Sequence, residues 1–224
     1  MNSLTTLVQA LGVAYAAGLD LYATVAVVGL ASHFGWVSGI PDSLGVFDNP
    51  WVIGIAVLLY VFEFLATLLP GIASAWETVH SLIRPPAAAA LAAATAWQAD
   101  PAFVLLAALA GGGVAVATHT TKLGLRYAID TSPEPFTNGV ANVSELGLVS
   151  ALLIAIWQHP FAAFGIALVV LLLLIIMVRL IWRALRQVFS GRWMPGRGLL
   201  QEPRPGEALP REKRWASGDA TLIR

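Results

Sequence analysis

Several charged residues before position 179 lie inside apolar stretches, where a charge needs a reason to be. Asp20 sits in AAGLDLYATVAVV and Glu63 in LLYVFEFLATLL. At helical rise each is roughly 16–18 Å below the outer end of its apolar run. A carboxylate at that depth in a membrane points to proton or cation handling. The structural alternative is a hydrogen bond to a neighbouring helix, with Tyr15, Tyr22 and Tyr60 as hydroxyl partners.

A second group lies in ETVHSLIRPP. Glu77, His80 and Arg84 recur at i, i+3 and i+7 and so share one helical face. Ser74 with Glu77 three residues on has the capping-box spacing. Pro70-Gly71 ends the preceding helix, and Pro85-Pro86 stops this one or starts the next. Glu-x-x-His is also half of a carboxylate-bridged dimetal site, but such sites need two copies and the chain has one. Capping and ion pairing of Glu77 with His80 or Arg84 is the simpler reading, and the metal question stays open.

A third group flanks DTSPEPFTNG. Before it, His119, Lys122 and Arg126 share a face; after it, Asn138, Asn142 and Glu145 do the same. Lys122 and Glu145 lie similar distances from the turn, so an ion pair across the helical hairpin is expected. Two X-Pro steps keep the turn extended, and Thr137 or Asn138 is placed to cap the following helix. That helix N-terminus is suited to meet an anion or a polar solute.

The elements that position these groups are helices. The chain has 224 residues, 58% hydrophobic and 12% charged, with mean hydropathy +0.75. A soluble domain carries about twice that charged fraction. The apolar runs are continuous and near the length that crosses a bilayer, which excludes the alternating short strands of a β-barrel. The predicted fold class is all-α, a polytopic transmembrane bundle of about six spans: residues 4–31, 51–69, 85–97, 102–128, 138–157 and 161–189. The third is short and recruits part of residues 72–84 or lies tilted. The sixth has so few polar atoms that it reads as lipid-facing. Residues 1–190 form the transmembrane domain and 191–224, rich in Pro, Gly and charge, a disordered cytoplasmic tail.

Ten of the thirteen basic residues lie from Arg179 onward, which assigns that end to the cytoplasm. Six spans then place the N-terminus inside as well, and Arg84, Lys122 and Arg126 fall on the same side. The pattern also allows two inverted three-helix halves, residues 1–98 and 99–190, with broken helices or short re-entrant segments of the transporter type. Small residues crowd the third and fourth spans, which permits close helix approach or a cavity. The chain has no cysteine, so no disulfide framework or thiolate metal site is expected. The opening lacks the basic n-region of a cleavable signal. No phosphate-binding glycine loop, HExxH or Ser-His-Asp arrangement occurs, and the basic tail is too mixed in charge for nucleic acid. No catalytic residue and no cofactor are assigned. The expected partners are the lipid bilayer and a small ion or solute, and self-association is compatible with the class.

GLDLY (residues 18–22), EF-x-A followed by Pro and W-x-x-x-H-x-x-x-RPP (63–86), H-x-T-K-x-GLR (119–126) and TSPEP-x-x-N (131–138) together resemble the bacterial membrane family catalogued as domain-of-unknown-function family 4126. The resemblance covers roughly residues 10–180. It implies a multi-pass membrane protein without an established reaction. Where the family reads ADK-x-P and further aspartates around the tryptophan, this chain has Thr67, Leu68, Ala73 and Glu77, so an activity carried by those charges is altered or lost here.

The leading expectation is an inner-membrane transporter or channel for a small ion or solute. Asp20 and Glu63 handle a proton or cation. Glu77, His80, Arg84, His119, Lys122, Arg126, Asn138, Asn142 and Glu145 line the cytoplasmic half. The alternative is a non-transporting scaffold or accessory subunit whose polar residues lock the bundle. An intramembrane enzyme on lipid-linked substrates is a third option, with Glu77, His80 and His119 as its visible cluster.

Overall fold

The computed structural model describes residues 2–69, 71–129 and 135–189. The chain divides into a unit of residues 1–182 and a second of residues 183–224, of which only 183–189, the end of the last helix, are described. Pro70, the Asp130–Glu134 part of the two-proline turn and the expected tail of residues 191–224 lie outside the described residues.

Eight α-helices run in order among the described residues. They are α1 (Ser3–Leu19), α2 (Leu21–His33), α3 (Pro50–Thr67), α4 (Ile72–His80), α5 (Arg84–Thr95), α6 (Pro101–Ile129), α7 (Pro135–Gln158) and α8 (Pro160–Phe189), with a 3-10 segment over Asp42–Asp48 between α2 and α3. Four of them, α3, α6, α7 and α8, are long and apolar enough to cross a membrane, while α1 and α2 are shorter apolar helices. This is an all-helical membrane bundle, and its first span departs from expectation. The apolar run of residues 4–31 is two helices, broken at Asp20.

The break has a local cause. Asp20 is extended (φ −146°, ψ 108°), and its carboxylate accepts the Ala23 backbone N–H at 2.9 Å. One residue thus ends α1 and N-caps α2, the role that Asp fills well. Its carbonyl accepts from Thr24 Oγ1 at 2.7 Å as well.

Packing shows that the chain reverses there. Gly111 of α6 faces Ala14, and Gly18 faces Ala115 and Thr118, so α1 and α6 run parallel. Gly111 and Gly112 also face Ala92 and Ala89, so α5 runs antiparallel to α6. Gly29, near the end of α2, packs on Phe47 and Ile53, beside the start of α3, and Ser43 donates to the Ala94 carbonyl near the end of α5. α2 therefore returns to the end where α1 began. A cavity of about 530 Å³ at that end is lined by Ser3 and Thr6 together with Asp42, Thr95 and Asp100. α1 and α2 form a re-entrant hairpin rather than a crossing.

The packing of the last two helices extends the same order. Ile156, near the end of α7, fills the space beside Gly12, and Val178 of α8 lies against Gly124 of α6. α8 thus starts at the Ser3 end and runs parallel to α6. The start of α1 and the Trp182 end of α8 lie at opposite ends of the first unit. The single extended residue at Asp20 is what splits the run of residues 4–31 into two helices.

Two capping expectations also change. α4 begins directly after Gly71, whose φ of +84° suits glycine, and no side chain caps it. Ser74 is already inside the helix, which leaves Glu77 free for other work. α7 starts at Pro135, so Thr137 and Asn138 are helical residues and not its caps. As expected, α8 shows lipid-type apolar residues outward, among them Leu172, Leu173, Ile176 and Leu180, and turns Ala163, Ala167 and Leu171 inward.

Candidate functional site

The hairpin tip, the C-terminal part of α3, the α4–α5 turn, the C-terminal half of α6 and the N-terminal half of α7 converge on one charged cluster. Arg84 is its hub and is wholly buried. Its Nη1 donates to Glu77 Oε2 at 2.5 Å, and its Nη2 donates to Glu63 Oε1. A planar guanidinium can serve two carboxylates in fixed directions, which a lysine cannot. Glu77 and Arg84 share a face as their spacing implies, and the turn at Ser81–Ile83 bends α5 back so that they meet.

Lys122 is the second hub. Its Nζ lies 2.5 Å from Glu145 Oε1, 2.9 Å from Glu77 Oε1 and 3.4 Å from Glu63 Oε1. It also donates to the Leu19 carbonyl at 2.7 Å. That carbonyl is one of the last of α1, left without an intrahelical donor where the helix stops. The ammonium closes the negative end of the helix dipole. The expected Lys122–Glu145 pair is thus present, within a larger network than the pair alone.

Arg126 completes the row on α6. It donates through Nη2 to Asn142 Oδ1 and to Glu145 Oε2, the latter at 3.3 Å, and through Nη1 to Asn138 Oδ1 at 3.5 Å. Asn142 Nδ2 donates onward to Thr67 Oγ1 at 2.8 Å, tying α7 to α3.

The histidines occupy the edges. His119 Nδ1 faces Arg84 Nη1, which can only donate, so Nδ1 is the acceptor and Nε2 carries the hydrogen toward Ser81 Oγ at 2.9 Å. By the same logic His80 donates from Nδ1 to the Trp76 carbonyl at 2.8 Å and accepts the Tyr22 hydroxyl at Nε2, 3.2 Å. His80 and Glu77 therefore point to different partners. Among the described residues no three His, Asp or Glu side chains gather as metal ligands.

The carboxylates differ in what compensates them. Glu63, Glu77 and Glu145 each lie within ion-pair distance of two cations. Asp20 is 97% buried (3% exposed) and has no such pair among the described residues; the α2 N-terminus supports it instead. The tyrosines expected beside the acids do not bond them: Tyr22 goes to His80, and the Tyr15 and Tyr60 hydroxyls have no partner. Glu63 Oε2 is likewise buried without a donor. Among the described residues four carboxylates thus share three cations, a balance of one negative charge while both histidines are neutral.

Sequence reasoning missed Thr67, Ser81 and the Leu19 carbonyl as members of the cluster. Thr67 lies one turn beyond Glu63, and Ser81 precedes Arg84 by three, so helical spacing could have found both. The carbonyl could not be found, because its availability depends on the break.

Fold and site define a helical integral membrane protein with a buried ionic core. A family model described as "Domain of unknown function (DUF4126)" matches residues 7–180. The chain belongs to that family. No curated protein and no solved structure matches it.

Proposed function

We propose that this protein is a transporter or channel for a small ion or solute in the bacterial inner membrane, with the buried cluster as its ion-handling centre. The observation that carries the reading is the unequal charge count at a helix break. A fold that needed ions only as fasteners would tend to match them, because an uncompensated buried charge is costly. Here one carboxylate exceeds the cations, and the backbone is irregular beside it, as in transporters whose sites lie between broken helices. The positive residues after Arg179 orient the α8 end toward the cytoplasm. The Ser3 end, with Asp42 and Asp100 and without Lys or Arg around its cavity, then faces outward. The α1–α2 hairpin reaches the cluster from the Ser3 end and supplies Asp20 to it.

The scaffold reading draws on a specific observation too: three of the four carboxylates are fully ion-paired. One experiment separates the two. The purified full chain is placed in proteoliposomes, and uptake of a panel of small ions and solutes is followed under an imposed proton gradient. The transport reading expects protein-dependent flux that Glu63→Gln and Lys122→Ala abolish while both variants still fold. No flux above protein-free vesicles, or flux indifferent to both substitutions, favours the scaffold.

A further inference from the structure

We infer that the cluster binds one proton and that Asp20, at the tip of the α1–α2 hairpin, is the group that carries it. The inference deepens the transport reading and rests on it only for the direction of use; proton binding itself can be measured without transport.

The argument runs from partners. Arg84 is committed to Glu63 and Glu77, and Arg126 to Glu145 and the two asparagines. Lys122 donates to the Leu19 carbonyl and, more distantly, to Glu63, and lies within ion-pair distance of Glu77 and Glu145. No cation is left for Asp20. The groups that act on it come from every element around it: Glu63 of α3, Lys122 of α6, Glu145 of α7 and Arg84 of α5. Tyr60 of α3 and Tyr22 of α2 feel its charge in turn. Two of the four charged neighbours are themselves negative.

A second observation points to the ligand. Glu63 Oε2 has no donor, although Glu63 is 3% exposed. A buried carboxylate oxygen without a donor calls for a hydrogen on a neighbour, since leaving it bare costs its desolvation. A protonated Asp20 balances the carboxylates against the cations of the cluster among the described residues. The proton comes from bulk water and returns to it, and no bond other than O–H forms or breaks. The proton resides on Asp20 because Glu63 already lies within ion-pair distance of Arg84 and Lys122.

Binding and conformation are linked at this position. Ionised Asp20 accepts the Ala23 N–H and sits at the positive end of α2; the neutral acid is a weaker cap. Loss of the proton therefore strengthens the α2 cap and at the same time adds a negative charge that competes for Lys122. Pulling Lys122 toward Asp20 would release the Leu19 carbonyl. Proton occupancy and the seating of α1 are thus coupled through one ammonium group.

The test is infrared titration of the full chain in lipid nanodiscs, following the carboxylic-acid C=O band against pH. The wild type is expected to hold one protonated carboxyl at near-neutral pH. Asp20→Asn, which keeps a good N-cap and so the fold, should remove it, whereas Glu145→Gln should not. A wild type with no protonated carboxyl at near-neutral pH, or a band that survives Asp20→Asn, overturns the inference. The fate of the transport reading is separate. A band lost in Asp20→Asn from a protein that moves no solute upholds proton binding and sinks transport. Proton-driven uptake unaltered by Asp20→Asn does the reverse.

Discussion

Lys122 Nζ lies 2.7 Å from the carbonyl oxygen of Leu19, a residue 103 positions away in the chain. The contact joins the C-terminal part of α6 to the open end of α1, and the same nitrogen meets Glu77 and Glu145. Lys122→Met leaves a helix end without its donor and takes one of two cations from each of two carboxylates. Breaking a buried pair from one side costs about 3–5 kcal/mol. Unfolding of the purified protein in detergent micelles should show that loss. Lys122→Arg should recover only part of it, because a planar fork cannot aim at four oxygens spread around one point. Wild-type stability in Lys122→Met would mean the network is not structural.

Asp20 should tolerate one substitution and not another. Asp20→Ala removes the side-chain acceptor for the Ala23 N–H and should cost about 1 kcal/mol, the usual value for a lost N-cap. Asp20→Asn keeps an acceptor oxygen and should cost a few tenths at most on that account. Thermal melts of the two variants side by side check the difference. Equal melting temperatures would contradict the capping role.

Gly18 marks the closest approach of α1 and α6. A Cβ there would meet Thr118 Oγ1 and come within 2.8 Å of the Ala115 Cα and 2.9 Å of its carbonyl oxygen. Backbone cannot rotate away, so Gly18→Ala should destabilise by about 1–3 kcal/mol, and adding Thr118→Ala should not restore stability. Gly113, in the same helix as Ala115, faces open space. Gly113→Ala should be neutral, or stabilising by up to about 1 kcal/mol, from helix propensity alone. Chemical denaturation of the three variants measures both effects.

The hairpin predicts a labelling pattern. The chain contains no cysteine, so single cysteines report cleanly. Ser3→Cys should react with a membrane-impermeant thiol reagent from the same face as Ser38→Cys, and Arg179→Cys from the opposite face. Reaction of Ser3→Cys and Arg179→Cys from one face would restore the six-span topology and remove the hairpin.

Much of the site was legible because helical periodicity is a local property. Glu77 with Arg84, the row His119, Lys122, Arg126, and the row Asn138, Asn142, Glu145 can be placed on common faces from spacing alone, and they do share one cluster. Glu63 was legible from the cost of a carboxylate in an apolar run. The turn between α6 and α7 forces Lys122 and Glu145 to similar depths, so their pair was visible before any coordinates. The reading failed where the outcome depends on a competition between local and distant partners. Residues 4–31 have the hydropathy of one long helix, and Asp20 looks like a single embedded charge. Whether such a residue stays helical or breaks the helix depends on who receives the backbone groups that the break exposes.

The sequence by itself determined the class: a chain this apolar must satisfy its backbone internally, so it forms helices in a membrane, with charges paired inside. It determined most of the membership of the ionic cluster as well. Only the tertiary structure decided that α1 stops at Leu19. The break holds because Ala23 and Asp20 cap one side and Lys122, on a helix more than a hundred residues away, closes the other. A hydrogen bond to a distant cation has no signature in local spacing, and on that bond rest the re-entrant hairpin, the opposite ends reached by α1 and α8, and the one carboxylate left without a counter-ion.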